Sequence, residues 1–524
     1  MSDTVPGPTR ARVERVAYPV VGVALLLVLW IVGGRAGWAK GMVVTPRAAI
    51  APIVGDSADV YMRATRATLW VAARGFVIGS LLAYGAALLA TAVPPARRTI
   101  GKLAAIVNAA PWVAVAPCLM IVLGNKRAPV AIAVLAVFFF VVVSASVGLA
   151  AEPAAARDAT LALGASRWFR LWALQIPTSW PSVVDGLKLA APAALTGAIF
   201  GEWFGAERGL GVLLLTAMRS ARPERLWAAS LLACACGLVA YGLLAGARRL
   251  LVGRYGGTIA EAAQVVDAGT STQRRLLRLG FDAAASAGLL VALVFLWWAW
   301  IRLGDVSPLI VPSPGSVLDD LVSHSGEYLA ATAQTLLTAA AGLVLGTLVG
   351  VAAAVAGARL PVVAGAITPL VIVLAAAPIV ALFPLFARIF GYQPTTVRVL
   401  AAVMVFFPVY VFTRSGLASA GGSIIEVVQA LGAPERRAFR LVTAPAAVPH
   451  LAAGVRIAAG TSVIAAVVGE TLIGRQGLAV EFSYAYALFD MPRAFGAAVV
   501  IVATSVAVFA VAGATERALN RRWT

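Results

Sequence analysis

Few residues in this chain can do covalent chemistry, and those that can are scattered. The two histidines, His324 and His450, stand apart from each other and from the three cysteines, Cys118, Cys234 and Cys236, which lie inside apolar runs. A metal site needs several ligands at set spacing, and a catalytic centre needs clustered nucleophile and base. Neither pattern occurs, so no catalytic or metal-ligating residue is expected. The charges and backbone breakers in unusual places are more telling. Glu202 and Glu470 each close an apolar run and precede a glycine-bearing loop, in "GEWFGAERGLG" and "GETLIGRQGLA". An acid near the membrane rarely goes unpaired, so each is either an outer gate and docking element or a structural ion-pair partner. Arg74, inside another apolar run, can attract an anion, snorkel, or pair with a backbone carbonyl. Pro111 and Pro117, echoed by Pro378 and Pro384, interrupt apolar runs at a spacing of six (117 − 111, 384 − 378). Irregular backbone at membrane depth is tolerated where it is buried in protein or lines a cavity. These prolines therefore mark a solute pathway, or else are kinks relieved by neighbouring helices.

The elements that must hold these residues are membrane helices. The chain has 524 residues, 61% hydrophobic and only 12% charged, far outside soluble composition. Its net charge of +19 sits in short Arg/Lys clusters between apolar runs. That is how positive-inside loops look; nucleic-acid binding would need a basic stripe interleaved with aromatics. Spans of about 20 apolar residues fall near 16–33, 68–93, 103–124, 130–150, 183–201 and 226–247. Six more fall near 284–301, 335–356, 362–390, 397–412, 451–469 and 494–511. The N-terminal run, after Arg10, Arg12 and Arg15, is too long for a signal peptide and is expected to be the first span.

The two sets of six align. Pro46 pairs with Pro312 (offset 266), Thr68 with Thr335, Pro111 with Pro378 and Pro117 with Pro384 (267), and Gly164 with Gly432, Pro177 with Pro445, Glu202 with Glu470 and Gly209 with Gly477 (268). So steady an offset is an internal repeat. An even number of spans per copy makes the repeat parallel. The expected fold is all-α and integral to the membrane: two tandem, parallel six-helix domains, 1–247 and 283–524, joined by a cytoplasmic linker over 248–282. Arg97, Arg98, Lys102, Arg248, Arg249, Arg274, Arg275, Arg521 and Arg522 all fall on the side of the N-terminus, which puts both termini in the cytoplasm. Lys126 and Arg127 are exceptions on the opposite side.

On the same side lie two polar loops, "RDATLALGASRWFRLWALQIP" and "IEVVQALGAPERRAFRLVTAP". Each reads as two short helices broken at a glycine: Gly164 or Gly432 supplies the positive φ, and Pro177 or Pro445 suits the first turn of the next element. The Gly-to-Pro spacing is 13 in both (177 − 164, 445 − 432). One such loop could simply rest on headgroups, with Trp168, Arg170 and Trp172 as anchors. The repeated spacing points to a repeated docking surface.

These loops resemble the cytoplasmic "EAA" loop of ATP-binding-cassette importer permeases, E-A-A, three residues, G, nine residues, I-x-L-P. The first copy has Asp158, Ala159, Thr160, Gly164, Leu174, Ile176 and Pro177; the second has Glu426, Val427, Val428, Gly432, Val442, Ala444 and Pro445. Asp for Glu in one copy and valines for alanines in the other depart from the pattern. "VVTPRAAI" and "IVPSPGSVLDDL", and "APWVAVAPCLMIVLG" and "APIVALFPLFARIFG", resemble the nitrate/sulfonate/taurine/bicarbonate branch. The resemblance covers nearly all of both halves and implies two fused type I permease domains with about 12 spans. It implies that Asp158, Ala159, Leu163, Gly164, Ala165, Pro177, Glu426, Leu431, Gly432, Ala433 and Pro445 couple to ATPases. It further implies a bacterial inner-membrane location, a small anionic solute such as a sulfonate, nitrate or bicarbonate, or a thiamine-precursor pyrimidine, and an extracytoplasmic binding protein that delivers it.

No G-x-x-x-x-G-K-[ST] occurs, and the only "GK", Gly101–Lys102, precedes Leu103. ATP and Mg²⁺ are therefore expected on two partner subunits, with no cofactor in this chain. The rival reading is an ion-coupled secondary carrier, which twelve spans in two parallel halves would also fit.

Overall fold

The computed structural model describes residues 8–252 and 288–523, except 56–57, 94–95, 97–98, 102, 105–111, 221, 289–290, 293, 305, 309 and 421. In the first half the helices are α1 (Pro8–Arg35), α2 (Pro46–Val54), α3 (Ala58–Ala92), α4 (Trp112–Ala150), α5 (Ala154–Ala162), α6 (Arg167–Arg170), α7 (Ile176–Glu202), α8 (Leu210–Arg219) and α9 (Pro223–Val252). In the second they are α10 (Pro314–Ser323), α11 (Ser325–Arg359), α12 (Pro361–Ala376), α13 (Phe383–Phe390), α14 (Pro394–Ser419), α15 (Gly422–Ala430), α16 (Glu435–Ala438), α17 (Ala444–Ile473), α18 (Leu478–Ala487) and α19 (Met491–Trp523).

Among the described residues nine helices are long and apolar enough to cross a membrane, and a tenth span is broken, Val362–Ala376 meeting Val380–Phe390 at 101°. The other two expected spans, 103–124 and 284–301, run into residues outside the described ones, Pro111 among them. Their described parts are helical, from Trp112 onward in one and over Val294–Leu303 in the other. Apolar side chains such as Leu25, Leu81, Leu337 and Val511 are more than 60% exposed on these helices, as lipid-facing residues must be. Small residues occupy the contacts instead. Gly75 and Gly79 on α3 lie against Ala133 and Val137 on α4; Gly342 and Gly346 on α11 lie against Ala401 and Val405 on α14. Without a hydrophobic drive between helices in lipid, close backbone approach at small residues supplies the packing. The same contacts 267 and 268 residues apart (342 − 75, 401 − 133) are the repeat expressed as packing.

Three expectations need correction. Pro46 starts α2 after a Thr45 cap, and its structural partner is Pro314, which starts α10 after a Ser313 cap, not Pro312. What repeats is a capping hydroxyl followed by proline at the first helical position, which shifts the match by two residues. Secondly, Pro177 and Pro445 lie in the first turns of α7 and α17 as expected, but the chain does not break ahead of them. The helix restarts at Arg167 or Glu435 and continues through one π turn, Leu171–Gln175 or Phe439–Thr443, into the long span. In that turn Ile176 N–H donates to Leu171 O, and Ala444 N–H to Phe439 O. The wider turn shifts the bonding just where a proline, lacking an N–H, would leave a carbonyl without its usual donor. Thirdly, α9 runs to Val252 and Arg248 Nε lies 2.7 Å from Asp185 Oδ1, so Arg248 belongs to the bundle, not to the linker. The remainder of the linker, 253–282, lies outside the described residues.

A candidate solute pathway and its coupling loops

Each polar loop is a short helix closed by a left-handed glycine. Leu163 ends α5, Gly164 takes φ 70°, Gly164 N–H donates to Leu161 O (3.0 Å) and Ala165 N–H to Thr160 O (3.0 Å). In the second half Gly432 takes φ 81° and Ala433 N–H donates to Val428 O (3.2 Å). This paired bonding closes helices through a residue without a Cβ. Asp158 and Ala159 on α5, and Glu426 on α15, are exposed, as are both glycines. Beside each glycine a leucine points outward, Leu163 at 85% and Leu431 at 81% exposure, 268 residues apart (431 − 163). Two large apolar side chains held out by matching caps are suited to bury themselves in a partner.

Glu202 and Glu470 are buried and, among the described residues, form no ion pair, which was one of the two readings of their sequence. Thr68 Oγ1 on α3 donates to Glu202 Oε1 at 2.7 Å, Gly211 N–H donates to Oε2 at 2.8 Å, and Leu210 N–H donates to Thr68 Oγ1 at 2.8 Å. The second half repeats this. Thr335 Oγ1 donates to Glu470 Oε2 (2.9 Å), Ala479 N–H to the same oxygen (3.3 Å), and Leu478 N–H to Thr335 Oγ1 (2.9 Å). Each carboxylate therefore accepts from the first turn of a short helix, α8 or α18, where four N–H groups lack partners and the dipole favours a negative charge. Gly209 (φ 145°) and Gly477 (φ 120°) bring the chain back so closely that a Cβ at either would strike the carboxylate. The acids tie span two, span five and the short helix that follows into one corner.

The broken span joins the halves. Pro378, buried, stands between α12 and a 3₁₀ turn (Ile379–Leu382), and Pro384, also buried, lies in the first turn of α13. Across the halves Ser230 Oγ on α9 donates to Ala381 O (3.0 Å), and Arg388 Nε on α13 donates to Met218 O (2.9 Å) at the end of α8. A Cβ on Gly237 of α9 would meet the Ala376 carbonyl. The first-half helix that contains the equivalent segment, α4, touches α17, α18 and α19. Gly124 (φ 73°) there matches Gly391 (φ 85°) and divides α4 where the second half divides into α13 and α14. Pro117 lies in this part of α4. The break of the second half thus sits where the halves meet. Arg74 does not: it lies over the Trp70 ring at 4.4 Å on an exposed face of α3, as a snorkelling arginine would.

A charged network escaped the sequence reading. Asp185 on α7 is held by Lys188 Nζ (3.0 Å) and by Arg248 on α9, and Lys188 sits 5.8 Å from the Tyr241 ring centre. In the second half Arg456 on α17 bonds Glu516 on α19 (2.9 Å) and lies 4.9 Å from the Phe509 ring. Lys188, Tyr241 and Arg248 map at offset 268 onto Arg456, Phe509 and Glu516. The cation and the ring repeat while the acid changes helix. Applying the repeat offset to every charged residue would have exposed it.

The family described as "binding-protein-dependent transport system inner membrane component" matches residues 75–254 and 342–524. The two matches start 267 residues apart (342 − 75), the repeat offset again. A probable ABC transporter permease of Haemophilus influenzae is 29% identical over 217 residues, 41% of this chain and 89% of the relative. The riboflavin transport system permease protein RibX of Chloroflexus aurantiacus is 30% identical over 250 residues, 47% of this chain and 93% of the relative. The taurine transport system permease protein TauC of Escherichia coli is 28% identical over 210 residues, 38% of this chain and 75% of the relative. Each relative corresponds to about half of this chain, which is a multi-pass membrane protein with the permease domain twice over. The chain belongs to the binding-protein-dependent transport system inner membrane component family, the permeases of ATP-binding-cassette importers.

Proposed function

We propose that this chain forms the whole translocation pathway of an ATP-driven importer in a bacterial cytoplasmic membrane. Both termini and both glycine loops face the cytoplasm, where two ATP-binding-cassette subunits, carrying ATP and Mg²⁺, seat on the loops. A binding protein on the other side delivers a small anionic solute. The observation that carries this reading is the same exposed leucine on the same glycine-closed helix in both halves. Two pseudo-equivalent knobs suit a pair of related ATPases, whose closure would rock one half against the other about the interface at which Pro378 and Pro384 stand. Glu202 and Glu470 brace the outer corners of that gate. The clustering of Arg and Lys on the N-terminal side supports the orientation. The taurine permease among the relatives supports a sulfonate-type anion, and the riboflavin permease extends the range to larger organic solutes.

Orientation and docking can be tested together. In a chain whose own cysteines are replaced by alanine, Leu163→Cys and Leu431→Cys are expected to react with a membrane-impermeant maleimide in inverted vesicles only. Purified ATPase subunits should then protect both positions. Labelling in right-side-out vesicles, or no protection at either position, would overturn the reading.

A further inference from the structure

The two loops differ most in the turn that enters the membrane. In the first half this turn exposes Trp168, Phe169 and Trp172, at 52%, 58% and 67%. At the repeat offset of 268 these positions become Arg436, Arg437 and Arg440, all three exposed. Three aromatics have been exchanged for three arginines on one turn of an otherwise matched element. A protein groove that fits two tryptophans and a phenylalanine does not also fit three guanidinium groups. If related ATPases seat on both loops, these positions lie beside the docking surface. One environment accepts both sets: the membrane–water interface, where aromatic rings and long cations are the two kinds of anchor. Both helices begin their apolar spans at this turn, Arg167 and Glu435 being the first residues.

The environments of the two sets also differ. In the first half Arg170 is engaged by Glu152 (2.8 Å), but the position matching Glu152 is Ala420 (152 + 268). Among the described residues Arg436, Arg437 and Arg440 make no ion pair with a carboxylate. Glu435 is exposed beside them and bonds none of them. Arg359, at the end of α11, adds a fourth cation, lying 4.5 Å from the Phe439 ring between Arg437 and Arg440.

We infer that Arg436, Arg437 and Arg440 form a binding site for the headgroups of anionic phospholipids on the second half only, and that the first half is anchored at the same depth by aromatic rings. Phosphate oxygens supply the acceptors that the protein does not, in the geometry guanidinium groups favour. The inference rests on the orientation proposed above only in naming the leaflet as cytoplasmic. Failure of that orientation would show in the maleimide labelling, whereas failure of this site shows in bound lipid.

The test uses the full chain in nanodiscs of phosphatidylcholine with and without phosphatidylglycerol, and counts phosphatidylglycerol retained per chain by native mass spectrometry after detergent release. The chain as it stands should retain phosphatidylglycerol, and less of it as salt rises. A basic residue near an anionic surface contributes about fivefold, so the triple change R436Q/R437Q/R440Q should weaken retention on the order of 100-fold. R436K/R437K/R440K should keep most of it, and W168Q/F169Q/W172Q should leave it unchanged. No preference for phosphatidylglycerol in the unaltered chain, full retention by the glutamine variant, or equal loss in the lysine and glutamine variants would each overturn the site. So would a glutamine variant that keeps its lipid but no longer binds the ATPase, which would assign the arginines to an acidic protein surface.

Discussion

A chain carrying Gly164→Val and Gly432→Val together is expected to reach the membrane folded and to lose ATP-driven uptake by at least about tenfold. Both glycines hold positive φ, 70° and 81°, where a β-branched residue is a genuine outlier and strain costs about 1–3 kcal/mol per site. No other atom stands within 4 Å of a Cβ built at either position, so the substitutions press on nothing in the bundle. The loop can relieve the strain only by opening the cap that Ala165 and Ala433 close, which swings Leu163 and Leu431 away. Because the buried contacts lie in the spans, membrane content of the variant should match the parent. The corresponding double alanine variant, with a smaller penalty at positive φ, should fall between the two. Uptake normalised to membrane content and unchanged in the valine variant would show that the caps transmit nothing.

Glu202→Ala should be the most damaging single change outside the loops. It leaves the Thr68 hydroxyl and the Gly211 N–H buried without an acceptor, and each orphaned buried group costs about 1–3 kcal/mol. A loss of about 3 kcal/mol, on the order of 10 °C in the thermal midpoint for units of this size, is expected by fluorescence-detected size-exclusion after heating. Thr68→Val orphans the Leu210 N–H and should cost a comparable amount. The pair together should cost less than their sum, since both break one network. Glu470→Ala should be milder, because Glu470 Oε1 finds no donor among the described residues and the Ala479 bond is longer. A Glu202→Ala midpoint indistinguishable from that of an exposed substitution would sink this view of the corner.

The architecture was largely legible in the sequence because lipid enforces it: apolar runs of spanning length follow from hydrocarbon thickness and backbone satisfaction, and a steady offset between them marks the two copies. The glycine caps were legible too, since only a residue without a Cβ takes that φ cheaply. The partner of each glutamate was harder to foresee. An ion pair was one of two readings of an acid near the membrane, yet each carboxylate is met by a threonine 134 or 135 positions earlier and by the first turn of a helix nine residues on. Thr68 and Thr335 had been matched as repeat markers, but nothing in sequence shows a hydroxyl turned toward a carboxylate. The π turns before Pro177 and Pro445 escaped for a similar reason. A proline signals a missing donor, and whether the chain breaks or widens a turn is decided by what continues beyond it. Pro378 stands at a break, but which helix of the other half packs on it emerged only from Ser230, Gly237 and Arg388.

The central claim is that a soluble ATPase drives this chain through its two loops. The most direct measurement is to purify the tagged chain from its own host in mild detergent, identify what accompanies it by mass spectrometry, and reconstitute the recovered complex with solute and binding protein outside the vesicles. The account predicts a Walker-motif ATPase in the complex and accumulation that requires ATP on the loop side and survives ionophores. Recovery of the chain alone, with accumulation that follows an ion gradient and ignores ATP, would contradict it.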